Sequence, residues 1–300
     1  MTRPTTHSWV KTALSLSAAG LLLSVAACGG GAASAEGPDD VLTIGTDDGQ
    51  EKHWLIIQEK LAEGGIEAEV KTFSDGTQIN TATENGDIDI NLFQHLAYLA
   101  QYNVNNNGTL VPVGATAVYP LALYSKDYGS LEELPEGAEV AIPNNPTNQA
   151  RALLNLQEAG LLTLKDGGDS LSTPAEIESA KVEITPVDSN QTVTALNGSA
   201  AAAVVNNTQA QKGGLGDEAI IYKDDLESGT NDAYINAFVT KEENADDPRW
   251  ETLIDVYHSS EVQEAVTELN GGNLKFKDDW TAEQLVELLR SEEEVAASGA

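Results

Sequence analysis

The sequence predicts an α/β protein built of two lobes, with the chain crossing twice between them. Strand-like and helix-like segments alternate along most of its 300 residues, a pattern typical of sheets rich in parallel strands with helices on both faces. A new set of strands and helices begins near residue 138, after the acidic, polar stretch 125–137. That stretch and the loop 227–232 are the candidate crossings. The predicted lobes comprise residues 41–124 with 233–292, and residues 125–232.

The predicted elements follow from short apolar runs and from hydrophobic periodicity. Residues 66–70 alternate polar and apolar side chains with a period of two, as a half-buried strand does. Apolar side chains between Trp250 and Tyr257 recur at the spacing of one helix face. The predicted strands are 41–44, 66–70, 88–93, 110–124, 138–142, 182–187, 201–205 and 234–240. The predicted helices are 54–61, one from about residue 95, 146–159 and 250–257.

The first 27 residues predict a secretion signal. Residues 1–12 carry basic side chains and no acid, whereas residues 13–27 are apolar or small. This order describes a signal peptide, and the apolar run is too short for a comfortable membrane span. Val25-Ala26-Ala27-Cys28 resembles a bacterial lipobox, and Cys28 is the only cysteine of the chain. We therefore predict a diacylated Cys28 with residues 28–40 as a flexible tether; the alternative is a chance cysteine after an ordinary cleavage site.

Composition excludes several classes of function. Asp and Glu number 48 against 16 Lys and Arg, giving a formal charge of −32, so phosphate backbones would repel the chain and we expect no nucleic-acid partner. A single cysteine excludes an internal disulfide or a cysteine-based zinc site. Four histidines leave little for a metal cluster. The sequence predicts neither a metal nor a cofactor.

Catalytic motifs give only weak support for an enzyme. Gly168-Asp169-Ser170-Leu171 spells a motif of some esterases, but it lies mid-chain among Gly and Asp residues that favour a turn. No nucleophile elbow, phosphate-binding loop, dinucleotide fingerprint or HExxH motif is found in the sequence. We therefore expect no enzymatic activity; a secreted hydrolase remains the alternative from a different class.

The stretch 144–151 predicts a receptor for a carboxylate. Asn145 is a suitable N-cap and Pro146 a suitable first helical residue, so a helix is expected to begin here. Asn148 and Arg151 then lie on one face of its first turns. A guanidinium beside a helix N-terminus favours a carboxylate ligand. The alternative is an ion pair of Arg151 with a surface acid.

A second stretch places aromatic side chains where a strand ends. Phe93 and His95 lie on the same side at the end of the strand, and Tyr98 follows His95 by one helical turn. Ligands bind at the carboxyl ends of strands in open α/β sheets. The alternative is core packing around a hydrogen-bonded histidine.

Taken together, these stretches resemble the methionine-binding lipoproteins that feed methionine ABC importers, the NlpA-type family of substrate-binding proteins. The resemblance runs from about Thr43 to Asn273. It implies a periplasmic-binding-protein-like fold, no cofactor, an amino-acid ligand, and a permease with ATPase subunits as partners. It also implies an acyl anchor on the extracytoplasmic face of the cell membrane. The segments that carry it are 86–89, Phe93-Gln94-His95, 118–120, 124–125, 143–148 with Arg151, 203–206, 234–236 and 270–272.

The resemblance also implies a role for each candidate site residue. Arg151 would bind the ligand carboxylate, and a set of asparagines would make polar contacts with the amino-acid head group. Aromatic residues would line a pocket for the apolar thioether. The asparagines are Asn148, Asn206 and Asn236, and the pocket residues are Phe93, His95 and Tyr98.

One position departs from the family pattern. After Thr72-Phe73-Ser74-Asp75 the family usually has a tyrosine that closes over the ligand side chain, whereas this chain has Gly76. If no neighbour refills the space, the pocket is open, methionine binds more weakly, and longer or oxidised side chains are tolerated. If a neighbour refills it, methionine stays preferred and a tyrosine at this position clashes. We expect the open pocket, because Thr77 and Gln78 are not bulky apolar side chains.

Overall fold

The computed structural model describes residues 41–226 and 229–298, so the predicted signal peptide, Cys28 and most of the tether lie outside the described residues. The described part is α/β, as predicted. Its strands are β1 (Leu42–Thr46), β2 (Ala68–Thr72), β3 (Ile90–Asn91), β4 (Leu110–Ala115), β5 (Ala117–Val118), β6 (Ala122–Tyr124), β7 (Ala138–Pro143), β8 (Leu162–Leu164), β9 (Ile177–Ala180), β10 (Val182–Val187), β11 (Ala202–Val205), β12 (Ile220–Tyr222), β13 (Ala237–Lys241) and β14 (Lys275–Phe276). Its α-helices are α1 (Lys52–Glu63), α2 (Gly76–Asn85), α3 (Leu96–Asn106), α4 (Pro146–Glu158), α5 (Thr192–Asn197), α6 (Asn207–Lys212), α7 (Arg249–Tyr257), α8 (Ser260–Leu269) and α9 (Ala282–Ser298).

Two five-stranded sheets organise these elements, with the strand orders β2-β1-β3-β13-β4 and β10-β7-β11-β6-β12. In the first sheet β1 pairs in parallel with β2 and β3, while β13 pairs antiparallel with β3 and β4. In the second sheet β7 pairs in parallel with β10 and β11, while β6 pairs antiparallel with β11 and β12. The sheets are thus mixed rather than parallel-rich. The antiparallel strands are β13 in the first sheet and β6 in the second. Each is the first strand of its sheet that the chain forms after crossing from the other sheet.

The sheet pairing corrects the predicted first crossing. Residues 125–137 connect β6 to β7, which both belong to the second sheet, so this stretch is not a crossing. The chain leaves the first sheet after β4, forms β5 and reaches the second sheet through a first crossing, residues 119–121. It returns by a second crossing between β12 and β13, whose described residues are 223–226 and 229–236. Residues 122–124, grouped with the first lobe by the sequence, therefore pair in the second sheet. The other predicted lobe boundaries stay a prediction.

Each sheet carries its own apolar core. Trp54 of α1, Phe238 of β13 and Tyr257 of α7 are almost fully buried in one cluster around the first sheet. Leu153 and Leu156 of α4 are buried with the interior strands of the second sheet. Among residues 41–226 and 229–298, no helix is both long and apolar enough to cross a bilayer. Because the two clusters are separate, each side of the cleft between the sheets has its own packed core.

Candidate functional site

Helix α4 begins where the sequence predicts, and its first turns face the cleft. Asn145 is the N-cap residue and Pro146 the first helical residue. The side chain of Asn145 does not cap the helix; its Oδ1 instead accepts a hydrogen bond of 2.7 Å from the Oγ of Ser189. This start brings Asn148 and Arg151 to the cavity wall.

The segment after β3 is held by a buried amide network. The Gln94 side chain exchanges two hydrogen bonds with the Asn80 side chain and donates a third, of 3.0 Å, to Asn91 Oδ1. Because these amides are buried, each pairing avoids the cost of an unsatisfied polar group. The network fixes the backbone between Phe93 and His95, and both of their side chains reach the cleft.

His95 links the two lobes in a defined tautomer. Its Nδ1 accepts a hydrogen bond of 3.1 Å from the Tyr98 backbone N–H and thereby caps α3. The proton therefore lies on Nε2, which is 3.1 Å from Asn148 Oδ1 in the other lobe and donates to it. Burial, together with the nearby Arg151 guanidinium, lowers the pKa of His95 to about 4. His95 is accordingly neutral at physiological pH.

Arg151 is buried and already pairs with an internal carboxylate. Its Nη2 donates to Asp224 Oδ2 at 2.6 Å and to the Tyr119 carbonyl at 2.9 Å, and its Nε donates to Asp224 Oδ2 at 3.2 Å. Its Cζ lies 4.2 Å from the centroid of the Tyr234 ring. The side chains of Arg151 and Asp224 are 6% and 4% exposed. The alternative of a surface ion pair is therefore wrong, because the pair exists but lies in the interior at the cavity wall.

All seven predicted site residues line two adjoining cavities between the lobes, of about 170 and 290 Å³. Arg151 borders the smaller cavity, whereas the N-terminus of α2 and Tyr98 border the larger one. Asn206 is the N-cap of α6 and accepts from the Gln209 N–H at 2.9 Å, while Asn236 forms an isolated β-bridge with His95. The residues from the prediction that line the smaller cavity are Phe93, His95, Asn148, Arg151, Asn206 and Asn236. Those that line the larger are Phe93, His95, Tyr98, Asn148 and Asn206.

Helix α6 makes contacts across the cleft that the sequence did not predict. The Nζ of Lys212 donates to the Asp47 backbone carbonyl at 2.9 Å and lies 3.8 Å from its Oδ2. At the other end of the helix, Asn207 donates to Asn270 Oδ1. Burial and the neighbouring Asp48 raise the pKa of Asp47 to about 6, an effect that Lys212 partly opposes. With 48 acids in the chain, no sequence signal distinguishes Asp47 from the rest.

Gly76 borders the larger cavity, and the Phe93 ring packs beside it. A Cβ atom added at Gly76 would lie 2.6 Å from Phe93 Cε2 and 3.5 Å from the Tyr98 hydroxyl. The Phe93 ring therefore occupies the space next to this glycine, and it packs edge-to-face on Tyr98 with ring centroids 5.9 Å apart. The sequence expectation considered only the residues that follow Gly76, whereas this ring comes from the segment after β3, so the openness of the pocket stays a prediction.

The arrangement is suited to binding a small ligand. Ser170 lies in a turn, as the simpler interpretation predicted, and it does not line either cavity. No group of three or more metal-ligating side chains is found among residues 41–226 and 229–298. A guanidinium, three amides and an aromatic wall are the features of a pocket for a small zwitterion with an apolar side chain.

Comparisons with known proteins identify a family and several related proteins. The model of the NlpA lipoprotein family matches residues 42–293. The D-methionine-binding lipoprotein MetQ of Salmonella typhi is 38% identical over 260 residues, covering 84% of this chain and 93% of that protein. A crystal structure of protein PG110 from Staphylococcus aureus superposes with a TM-score of 0.79 at 32% identity, covering 84% and 99% of the two chains. The substrate-binding protein of a methionine transporter from Streptococcus pneumoniae superposes with a TM-score of 0.73 at 32% identity, covering 79% and 95%.

Proposed function

Because this chain belongs to the NlpA lipoprotein family, we propose that it is a substrate-binding protein that delivers methionine, or a close amino-acid relative, to an ABC importer. The observation that carries the proposal is the cleft between the lobes, where Arg151 and three asparagines surround one cavity that continues into an aromatic one. The methionine-binding and methionine-transporting relatives support the choice of ligand. In this proposal the protein binds and releases its ligand without chemical change and is not an enzyme.

The proposed binding mode assigns one role to each side of the cleft. The Arg151 guanidinium binds the ligand carboxylate, because a charge-assisted hydrogen bond in a buried site is among the stronger polar contacts. Asn148, Asn206 and Asn236 offer amide groups to the ammonium and carboxylate of the head group. The thioether extends towards Phe93 and Tyr98, whose rings make favourable contacts with sulfur. His95 stays neutral, so it adds no charge beside the apolar end of the ligand.

Release of bound ligand tests the function directly. Mass spectrometry of freshly purified, then denatured, protein is expected to detect methionine, and calorimetry on the ligand-free protein is expected to show that methionine binds. A different amino acid or a small peptide in the released fraction would replace methionine as the ligand and keep the binding-protein function. Turnover of generic ester or peptide substrates, with no ligand released, would favour a secreted hydrolase instead.

The Phe93 ring beside Gly76 gives a prediction on selectivity. Gly76→Tyr is expected to weaken methionine binding, because the new side chain meets the Phe93 ring and overpacking costs about 1–3 kcal/mol. Calorimetry with methionine and methionine sulfoxide measures the effect, and wild type is expected to prefer methionine. The double variant Gly76→Tyr with Phe93→Leu is the control, since the smaller side chain gives the tyrosine room and should restore affinity. Tighter methionine binding by Gly76→Tyr alone would contradict the prediction.

The lipid anchor is the second part of the proposal. Cys28 is proposed to carry the acyl chains after cleavage of residues 1–27, holding the mature protein at the extracytoplasmic face of the cell membrane beside the permease and its ATPase subunits. Two acyl chains suffice where one gives only marginal binding. Cys28→Ser is therefore expected to move the exported protein from the detergent phase to the aqueous phase. Partitioning that the substitution leaves unchanged would show that Cys28 is not the anchor.

A further inference from the structure

The guanidinium of Arg151 is held between both crossings of the chain. Tyr119, whose carbonyl accepts from Nη2, belongs to the first crossing; Asp224 and Tyr234 belong to the second. Arg151 itself lies on α4 in the second lobe. Nε and Nη2 are thus engaged by the protein, and in the described part of the chain no hydrogen-bond acceptor is found for Nη1. Since Arg151 lines the smaller cavity, Nη1 is the donor left for a ligand.

Both carboxylate oxygens of Asp224 accept hydrogen bonds from the protein. Its Oδ2 accepts from Arg151, and its Oδ1 accepts from the Leu121 backbone N–H at 3.0 Å. The Leu121 contact joins the second crossing to the first, because residue 121 ends the first crossing. The carboxylate is 4% exposed, and withdrawing it from Arg151 would break hydrogen bonds in a buried environment.

We propose that Asp224 positions Arg151 for the carboxylate of the ligand, and that it does so from the point where the two crossings meet. This inference rests on the proposed function, in which the ligand is an amino acid. Fixing Nε and Nη2 leaves Nη1 in one orientation, so the guanidinium loses little side-chain freedom when the ligand binds. The carboxylate also compensates the buried guanidinium charge while the site holds no ligand.

A competing arrangement predicts the opposite result. If Asp224 occupied the position of the ligand carboxylate and had to be displaced, its removal would strengthen binding. The Leu121 contact opposes this arrangement, because displacement would break a buried backbone hydrogen bond as well as the ion pair. The two arrangements therefore differ in the sign of one measurable effect.

The test compares methionine with methioninamide, which lacks the carboxylate. If the wild-type protein binds neither compound, the proposed function is wrong, and the role of Asp224 fails with it because there is no ligand carboxylate for Arg151 to bind. Given wild-type binding, Asp224→Asn is expected to reduce the preference for methionine over the amide about tenfold. The variant keeps a side-chain oxygen for the Leu121 N–H and loses the charge that orients Arg151. A purely structural role would weaken both ligands equally and leave the ratio unchanged.

Asp232→Asn is the matched control. Asp232 lies on the same crossing and pairs with Lys277 at 3.0 Å, but it borders neither ligand cavity. This variant is expected to keep the wild-type ratio. If Asp224→Asn does not fold, Asp224→Glu replaces it; this variant keeps the charge and moves the carboxylate by one methylene, and a lowered ratio is expected again. An unchanged ratio in the folded Asp224 variant, or tighter methionine binding, would overturn the proposal.

Discussion

Replacing Arg151 with alanine is expected to abolish methionine binding at micromolar ligand concentrations. In the proposed complex the ligand carboxylate pairs with a guanidinium that is 6% exposed. Removing one partner of such a desolvated pair costs about 3–5 kcal/mol, which corresponds to a loss of roughly several hundredfold or more in affinity. Isothermal titration calorimetry measures the loss, and a decrease of less than tenfold would place Arg151 outside the ligand contact.

The same substitution also leaves Asp224 without its cation, so stability must be separated from binding. Arg151→Ala is expected to lower the free energy of unfolding, because an uncompensated buried carboxylate is costly. The double variant Arg151→Met with Asp224→Asn removes both charges and keeps an acceptor for the Leu121 N–H. We expect the double variant to recover much of the stability and none of the affinity. Recovery of both would mean that the affinity loss came from misfolding rather than from the missing ligand contact.

The sequence predicted those parts of the site that depend on local signals. Asn145 and Pro146 mark the start of α4 because capping and the fixed φ of proline act within a few residues. With that start known, the helical period places Asn148 and Arg151 on one face, and the structure has both on the cavity wall. The sequence also identified His95, at the start of a predicted helix that the structure confirms as α3. It did not predict the pairing of His95 with Asn148 in the other lobe.

The parts that the sequence missed depend on contacts between distant segments. Asp224 lies 73 positions from Arg151, and among so many acids nothing local marks it as the one that is buried. Phe93 packs beside Gly76 from a segment 17 positions away, so inspection of the sequence neighbours of Gly76 did not reveal this contact. The strand 122–124 continues an extended run of the first lobe in sequence, yet its partners β11 and β12 follow much later in the chain.

His95 should make the folding stability depend on pH between about 4 and 6.5. In the folded protein its pKa is lowered from 6.5 to about 4. Above pH 6.5 the imidazole is neutral in both states and costs nothing. As the pH falls below 6.5, His95 is protonated in the unfolded chain but stays neutral in the folded chain. The free energy of unfolding therefore decreases until about pH 4 and then levels off. The expected contribution by pH 4 is on the order of 3 kcal/mol, because each tenfold difference in proton affinity between the two states corresponds to about 1.4 kcal/mol.

His95→Asn isolates this contribution from the other titrating groups. Asparagine is a good N-cap, so its side chain can still accept from the Tyr98 N–H at the start of α3. The free energy of unfolding is measured by urea denaturation at pH 7 and at pH 4 for both proteins. Asp47, whose pKa is raised to about 6, acts in the opposite direction because its folded form takes up a proton first. Asp47 is present in both proteins, so its contribution cancels from the difference.

Wild type is therefore expected to lose about 3 kcal/mol more than His95→Asn between the two pH values. The hydrogen bonds of His95 explain why its protonation lowers the stability of the folded protein. A doubly protonated imidazole would direct its Nδ1–H at the Tyr98 N–H, so that two donors would face each other at the 3.1 Å contact. Protonation thus breaks the cap of α3 and adds a positive charge beside Arg151. Equal losses in the two proteins would mean that His95 keeps an ordinary pKa in the fold, and that the Tyr98 N–H finds another acceptor.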